Sequence, residues 1–166
     1  MAAPDWDTRR DSDTLDTAPQ RTHQVGALVW RPASTRYGFE VLLITSLGTG
    51  RWIIPKGWQK RDRTAAESAA EEAWEEAGIN GVIGDREIGR FDYDKRERDG
   101  TRILTVRVFE LAFTDSSKSY PEKDRRRRIW LDPGKASGMV QEKDLRWLIR
   151  RFEPGLALPG GAKRSA

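Results

Sequence analysis

The segment from Thr64 to Gly78 constrains the fold more than any other part of the chain, because it carries signals for both ends of a helix. Thr64 and Glu67 form a capping box, in which the hydroxyl and the carboxylate satisfy free backbone N–H groups. Alanines, which have the highest helix propensity, fill much of the interior. Gly78 is suited to the left-handed conformation that ends many helices. We therefore predict one helix over residues 64–77.

Short apolar runs bounded by turn residues surround this helix and predict strands. They are residues 25–30, 40–45, 51–54, 87–93, 102–114 and 127–131. The Asp99-Gly100 pair is typical of a hairpin turn between two of them. A second helix is predicted over residues 142–152, where apolar residues recur on one face. This order of elements predicts an α+β fold, with helices packed against a mixed sheet.

Length and composition favour one soluble domain. A chain of 166 residues has room for little more than that. It has no cysteine, which excludes disulfides and thiolate metal sites, and its single histidine cannot form a multi-histidine zinc site. No apolar run approaches the roughly 20 residues that span a bilayer, and the chain does not open on a signal-peptide pattern. We expect a cytoplasmic protein with no membrane partner.

The distribution of charge and the positions of proline and glycine predict three regions. Residues 1–20 hold five Asp and two Arg, a net charge of −3, and are expected to form a disordered acidic leader. Residues 21–152 are expected to form the domain, and residues 153–166 a flexible tail. Because the whole chain carries +4, residues 21–166 carry +7. This surplus indicates an anionic partner such as a phosphorylated molecule or RNA, although solubility alone also accounts for it.

Three carboxylates share one face of the predicted first helix. Glu72, Glu75 and Glu76 stand at positions i, i+3 and i+4, and Glu71 lies beside them. Like charges at these spacings repel, and a hard divalent cation such as Mg²⁺ would offset the repulsion. A solvated acidic face is the other interpretation, and the helix alone does not decide between them.

The segment before the helix favours the metal site. Together with the helix it resembles the Nudix box, G-x5-E-x7-R-E-U-x-E-E-x-G-U, where U is a bulky apolar residue. The matching residues are Gly57, Glu72, Glu75, Glu76, Gly78 and Ile79, with Ala73 a weak match at the other apolar position. The resemblance covers roughly residues 24–152 and implies a Nudix-type α/β/α sandwich, with a mixed β-sheet between helices.

Two flanking runs, TSLGTGRWIIPKGW and RRRRIW, resemble the diphosphoinositol polyphosphate phosphohydrolase-like branch of that superfamily. The resemblance implies hydrolysis of a P–O–P bridge in a nucleoside diphosphate-X type or phosphate-rich substrate. Diphosphoinositol and diadenosine polyphosphates are favoured. Nucleoside triphosphates and the 5′ end of RNA stay open as substrates, as does a non-catalytic Nudix module that binds nucleotide or RNA. The oligomeric state is not predicted.

The resemblance also implies roles for individual residues. Mg²⁺, or alternatively Mn²⁺, would be held by Glu72, Glu76 and the carbonyl of Gly57, with Glu75 as a third ligand or acting through water. Glu75 or the distal Glu122 would activate the attacking water. The residues expected to bind substrate are Ser46, Arg51, Lys56, Arg102, Arg126 and Arg128.

Two positions depart from the box. Arg63 stands where the box has Glu, and Glu71 stands where it has Arg. Because both signs are reversed, we predict that these two residues form a swapped supporting ion pair, worth at most about 1 kcal/mol if exposed. The alternative is that Glu71 has lost this pairing or joins the metal cluster.

Overall fold

The computed structural model describes residues 23–158, which form a seven-stranded mixed sheet and three helices. The elements in chain order are β1 (His23–Pro32), β2 (Phe39–Thr45), β3 (Trp52–Ile53), β4 (Lys56–Trp58), α1 (Ala65–Ala77), β5 (Ile79–Glu97), β6 (Gly100–Ser116), β7 (Arg128–Leu131), α2 (Pro133–Met139) and α3 (Lys143–Arg151). This confirms the predicted α+β class. The predicted leader and the end of the predicted tail lie outside the described residues, so the domain boundaries stay a prediction.

Strand β1 organises the sheet. Along one edge it runs parallel to β6, the pairing that makes the sheet mixed. Its other edge is divided, because residues 24–26 pair with β4 and residues 30–32 pair with β2, both antiparallel. The division leaves room for β4 beside the start of β1 and sets Gly57 opposite Val25. The segment that carries Gly57 is thus a short strand.

Helix α1 forms as its sequence predicts. The Thr64 hydroxyl accepts a hydrogen bond from the Glu67 N–H at 3.1 Å, and the Glu67 carboxylate accepts one from the Thr64 N–H at 2.8 Å. Gly78 ends the helix with φ at 66°, a left-handed value that glycine adopts without strain. The helix packs against β1, β4 and β5, where the small, fully buried side chains of Ala69 and Ala73 permit close approach.

Two features of the fold were not predicted. Strand β5 begins at Ile79, directly after α1, and not near residue 87; its register shifts at three places, which breaks the alternation that identifies a strand. Helix α2 is short, with Asp132 as its N-cap and Pro133 in its first turn, and it packs against α3. Tertiary packing stabilises a helix of this length more than its own propensity does.

Residues 153–158 contain no helix or strand but lie against the sheet. The buried carboxylate of Glu110 accepts hydrogen bonds from the Trp30 indole N–H at 2.9 Å and from the N–H groups of Gly155 and Leu156 at 2.9 and 3.0 Å. Within the described part of the chain, no helix is long and apolar enough to cross a bilayer. Cytoplasmic localisation stays a prediction.

Candidate active site

Gly57 and Glu72 form the centre of the site. A β carbon at position 57 would overlap the carboxylate of Glu72, so only glycine leaves room for it. Glu72 is 8% exposed. Among residues 23–158, no hydrogen bond to its carboxylate is among the main causes that shift its pKa. A buried carboxylate against a glycine backbone, without a donor of its own, offers the oxygen ligands that a hard cation prefers.

Burial makes the site carboxylates costly to ionise. It raises the pKa of Glu72 to about 7, and the negative charges of Glu75 and Glu122 act in the same direction. Burial also raises the pKa of Glu76 to about 7, although the charge of Arg126 opposes the shift. A bound cation would favour the charged form of both groups.

Glu76 is held in place from two sides. Its Oε1 accepts a hydrogen bond from Nη2 of Arg126 at 2.8 Å, and its Oε2 accepts one from the backbone N–H of Lys56 at 3.0 Å. Glu76 is 8% exposed, as is Glu72. Glu72 and Glu76 are therefore not part of a solvated surface, whereas the side chains of Glu71 and Glu75 are partly exposed.

The segment before β7 brings Glu122 and Arg126 to the same place. It is bound to α1 at Glu122, whose N–H donates to the carbonyl of Glu75 at 3.0 Å. Nε of Arg126 donates to Glu122 Oε2 at 2.7 Å, and its Nη1 donates to the carbonyl of Thr45 at 3.0 Å. Arg126 thus links the distal glutamate predicted from sequence to Glu76 of the box.

At the outer end of the glutamate face, basic residues of the chain itself neutralise the carboxylate charges. Nζ of Lys60 lies 2.6 Å from Oε1 of Glu75 and 2.6 Å from Oε1 of Glu71. Nε of Arg63 lies 3.2 Å from Oε2 of Glu71, which confirms the swapped ion pair. Lys60 was not predicted as a site residue, although it lies in the loop between the box glycine and α1.

The carboxylates fit a divalent cation that takes only one or two of its ligands from protein side chains. Within residues 23–158, no three acidic side chains converge into a ready-made metal cage. Glu75 and Glu76 are instead engaged by cationic groups, and Glu72 is left with Gly57 beneath it. Mg²⁺ is commonly held by one or two carboxylates together with waters and substrate phosphates, and this donor set suits it.

A cleft of about 880 Å³ opens beside Glu76. Four of the six residues predicted to bind substrate line it, namely Ser46, Arg51, Lys56 and Arg126. Burial lowers the pKa of Lys56 to about 8, and its ammonium lies 4.1 Å from the centre of the Tyr93 ring.

Several residues of the cleft have no signal in the sequence. The β5–β6 hairpin contributes Asp92, Asp94, Lys95 and Arg96, whose charges are typical of any exposed turn. Glu142, expected only as the first residue of a helix, pairs with Arg51 in the cleft wall. Long-range packing brings these groups together, and local pattern does not record it.

The structure places two predicted substrate residues outside the cleft lining. Arg102 pairs with Glu97 at 3.6 Å across the hairpin, and Arg128 donates to the carbonyl of Ala77 at the end of α1. A cation at a helix C-terminus stabilises the helix dipole. Arg126 lies outside β7, which begins only at Arg128.

Substitution of Gly57 by alanine tests the cradle, by which we mean the Gly57 backbone against which the Glu72 carboxylate lies. The new methyl group would displace the Glu72 carboxylate, so we expect a roughly 100-fold loss of turnover. Stability should change little, because the displaced atoms are the end of a flexible side chain. Gly138 in α2 has no atom within 4 Å of the corresponding position, so G138A is the matched control and should leave both properties nearly unchanged. Equal turnover of G57A and wild type would contradict the assigned geometry.

The chain is similar to known proteins over most of its described length. No family model matches the chain. Nudix hydrolase 21, chloroplastic, of Arabidopsis thaliana is 29% identical over 147 residues, covering 87% of this chain and 72% of that protein. The 8-oxo-(d)GTP phosphatase of Mycolicibacterium smegmatis is 30% identical over 148 residues, covering 84% of this chain and 44% of that protein.

A solved structure shares the fold. The Ap4A hydrolase of C. elegans in a binary complex superposes with a TM-score of 0.57 at 18% identity, over 78% of this chain and 93% of that one. At this identity the likeness concerns the fold alone. The chain is therefore similar in sequence to Nudix hydrolases, and these relatives, taken with the shared fold, support a hydrolase that acts on pyrophosphate bonds.

Proposed function

We propose that the chain is a Mg²⁺-dependent pyrophosphohydrolase that cleaves the P–O–P bridge of a nucleoside diphosphate-X type or other phosphate-rich substrate. One observation carries the proposal: the Glu72 carboxylate is buried against Gly57, and its neighbour on the helix face, Glu76, lines a cleft together with Lys56 and Arg126. Carboxylate oxygens for a cation and basic groups for phosphate are thus adjacent.

Different residues of the chain would bind the cation and the substrate phosphates. Glu72, Glu76 and the carbonyl of Gly57 would hold the cation, with Glu75 as a further ligand or acting through water. When bound there, a divalent cation neutralises phosphate charge and lowers the pKa of an attacking water. Lys56 and Arg51 would bind phosphate oxygens by charge-assisted hydrogen bonds.

In the reaction, a bond forms between the water oxygen and one phosphorus while the bridging P–O bond to that phosphorus breaks. The water proton passes to a carboxylate, and the leaving phosphate departs with the bridging oxygen. We infer that Glu122 or Glu75 takes this role. Glu122 is fixed by Arg126, and Glu75 by Lys60, so both are oriented before substrate arrives.

The charge of the cleft favours a substrate of moderate phosphate number. Its lining has five cationic side chains and four anionic ones, a surplus of one positive charge. The anionic ones are Glu76, Asp92, Asp94 and Glu142. A diphosphoinositol polyphosphate presents phosphates around its whole ring and would meet these carboxylates. A diadenosine polyphosphate also presents N–H and O–H donors, which carboxylates accept.

A nucleoside triphosphate is the second candidate substrate. The observation that favours it is the relative named 8-oxo-(d)GTP phosphatase, which matches 84% of this chain. A triphosphate offers the same P–O–P bridge and the same donors on its base and ribose. The site chemistry above therefore applies to it without change.

A substrate panel tests the proposed function. Diadenosine polyphosphates, diphosphoinositol polyphosphates, nucleoside triphosphates and ADP-ribose are supplied separately with Mg²⁺ or Mn²⁺, and phosphate-containing products are measured by chromatography. We expect turnover of a nucleotide that stops in EDTA and falls by about 100-fold or more in E76Q. Fastest turnover of the inositol compound would reverse the substrate preference. Equal turnover in EDTA would contradict the metal-dependent mechanism.

A further inference from the structure

Lys60 is placed between two carboxylates of the glutamate face. Its ammonium lies 2.6 Å from an oxygen of Glu71 and 2.6 Å from an oxygen of Glu75. Its backbone N–H donates at 3.1 Å to Oγ of Ser68, which is fully buried in α1. The loop that carries Lys60 is therefore anchored to the helix, and the short ion pairs are held from a fixed point.

The three box glutamates differ in what occupies their oxygens. Glu72 has the Gly57 cradle and no donor among the described residues. Glu76 is held by a backbone N–H and by Arg126. Oε1 of Glu75 is in contact with the ammonium of Lys60. An ammonium at that distance takes up the position that a cation would need on the same oxygen, and its charge repels a second cation nearby.

Resting on the proposed function above, we propose that Lys60 replaces one divalent cation at the outer end of the glutamate cluster. The catalytic cation then lies on the side of Glu72 and Glu76, and Glu75 acts through water. Arg63 supports the arrangement, because its pairing with Glu71 at 3.2 Å keeps that carboxylate turned toward the loop. The reversed charges at positions 63 and 71 thus belong to the same network of ion pairs as Lys60.

Counting bound Mn²⁺ tests this inference without measuring activity. Free Mn²⁺ is followed by electron paramagnetic resonance while wild type, K60M and R63M are titrated to saturation. Methionine keeps the length of the lysine stem but carries no charge. We expect K60M to bind one more Mn²⁺ per chain than wild type. R63M loses the same charge from the same cluster but frees no oxygen of Glu75, so it should bind the wild-type number.

The double variant K60M/E75Q locates the additional ion, because it removes the oxygen that Lys60 had covered. We expect the count to return to the wild-type value. Equal counts in wild type and K60M would overturn the inference, as would an additional ion in R63M or its persistence in K60M/E75Q. Wild type that binds no Mn²⁺ would overturn the proposed function as well, which separates the two failures. Thermal unfolding verifies that each variant is folded, and K60Q substitutes for K60M if needed.

Discussion

Replacement of Glu72 by glutamine is expected to abolish hydrolysis and yet to stabilise the metal-free protein at pH 8. Burial raises the pKa of this carboxyl from 4.5 to about 7, which corresponds to about 3 kcal/mol of unfavourable ionisation free energy. Glutamine keeps the shape without the charge. Turnover should fall by about 100-fold or more, because a group that would hold the cation is lost.

The stabilisation has a defined pH window. Because the folded pKa of Glu72 is above its unfolded value, the native state binds more protons between pH 4.5 and about 7, and the free energy of unfolding falls as pH rises through that window. The advantage of E72Q should therefore be absent near pH 4 and complete above pH 7. Urea unfolding in EDTA at several pH values measures it.

Two comparisons sharpen this test. E71Q should have the opposite sign, because hydrogen bonding to Lys60 lowers the pKa of Glu71, and its ionised form therefore contributes stability above its unfolded pKa. Addition of Mg²⁺ should stabilise wild type and not E72Q, since only a ligand that binds the native state shifts unfolding. An E72Q protein that is less stable than wild type in EDTA at pH 8 would contradict the assigned burial of an uncompensated carboxylate.

Replacement of Arg126 by methionine is expected to cost about 3 kcal/mol of stability, the range typical of removing one partner from a buried ion pair. Arg126 and Glu76 have side chains 10% and 9% exposed and lie 2.8 Å apart. Without the guanidinium, Glu76 loses the charge that opposes its raised pKa. The folded pKa of Glu76 then rises further, so stability should continue to fall as pH rises above 7, and the loss should be larger at pH 8 than at pH 5.5.

Arg125 provides the matched control for Arg126. It is the neighbouring arginine, 62% exposed, and it contacts Glu122 at 3.4 Å. R125M should change the free energy of unfolding by no more than about 0.5 kcal/mol. Adding E76Q to R126M should recover part of the loss, because it removes the unpaired charge. Equal effects of R125M and R126M, or no recovery in the double variant, would contradict the central role given to Arg126.

The local elements of the fold could be predicted because their signals are local. The capping box of Thr64 and Glu67 and the left-handed Gly78 define α1 within a stretch of fifteen residues. The hairpin turn at Asp99 and Gly100 connects β5 to β6 as expected. The start of β5 could not be predicted, because its bulges break the alternation from which strands are recognised.

For the site, spacing alone determined which carboxylates share one helix face, and the charge reversal at Arg63 and Glu71 determined that these two can still attract. Only the tertiary structure decided which carboxylates are buried, because burial depends on the segments packed over α1. It set Gly57 beneath Glu72, directed Arg126 to Glu76 and turned Arg128 to the helix end. Those contacts join residues distant in sequence, and their geometry depends on how the strands pair and not on any local pattern.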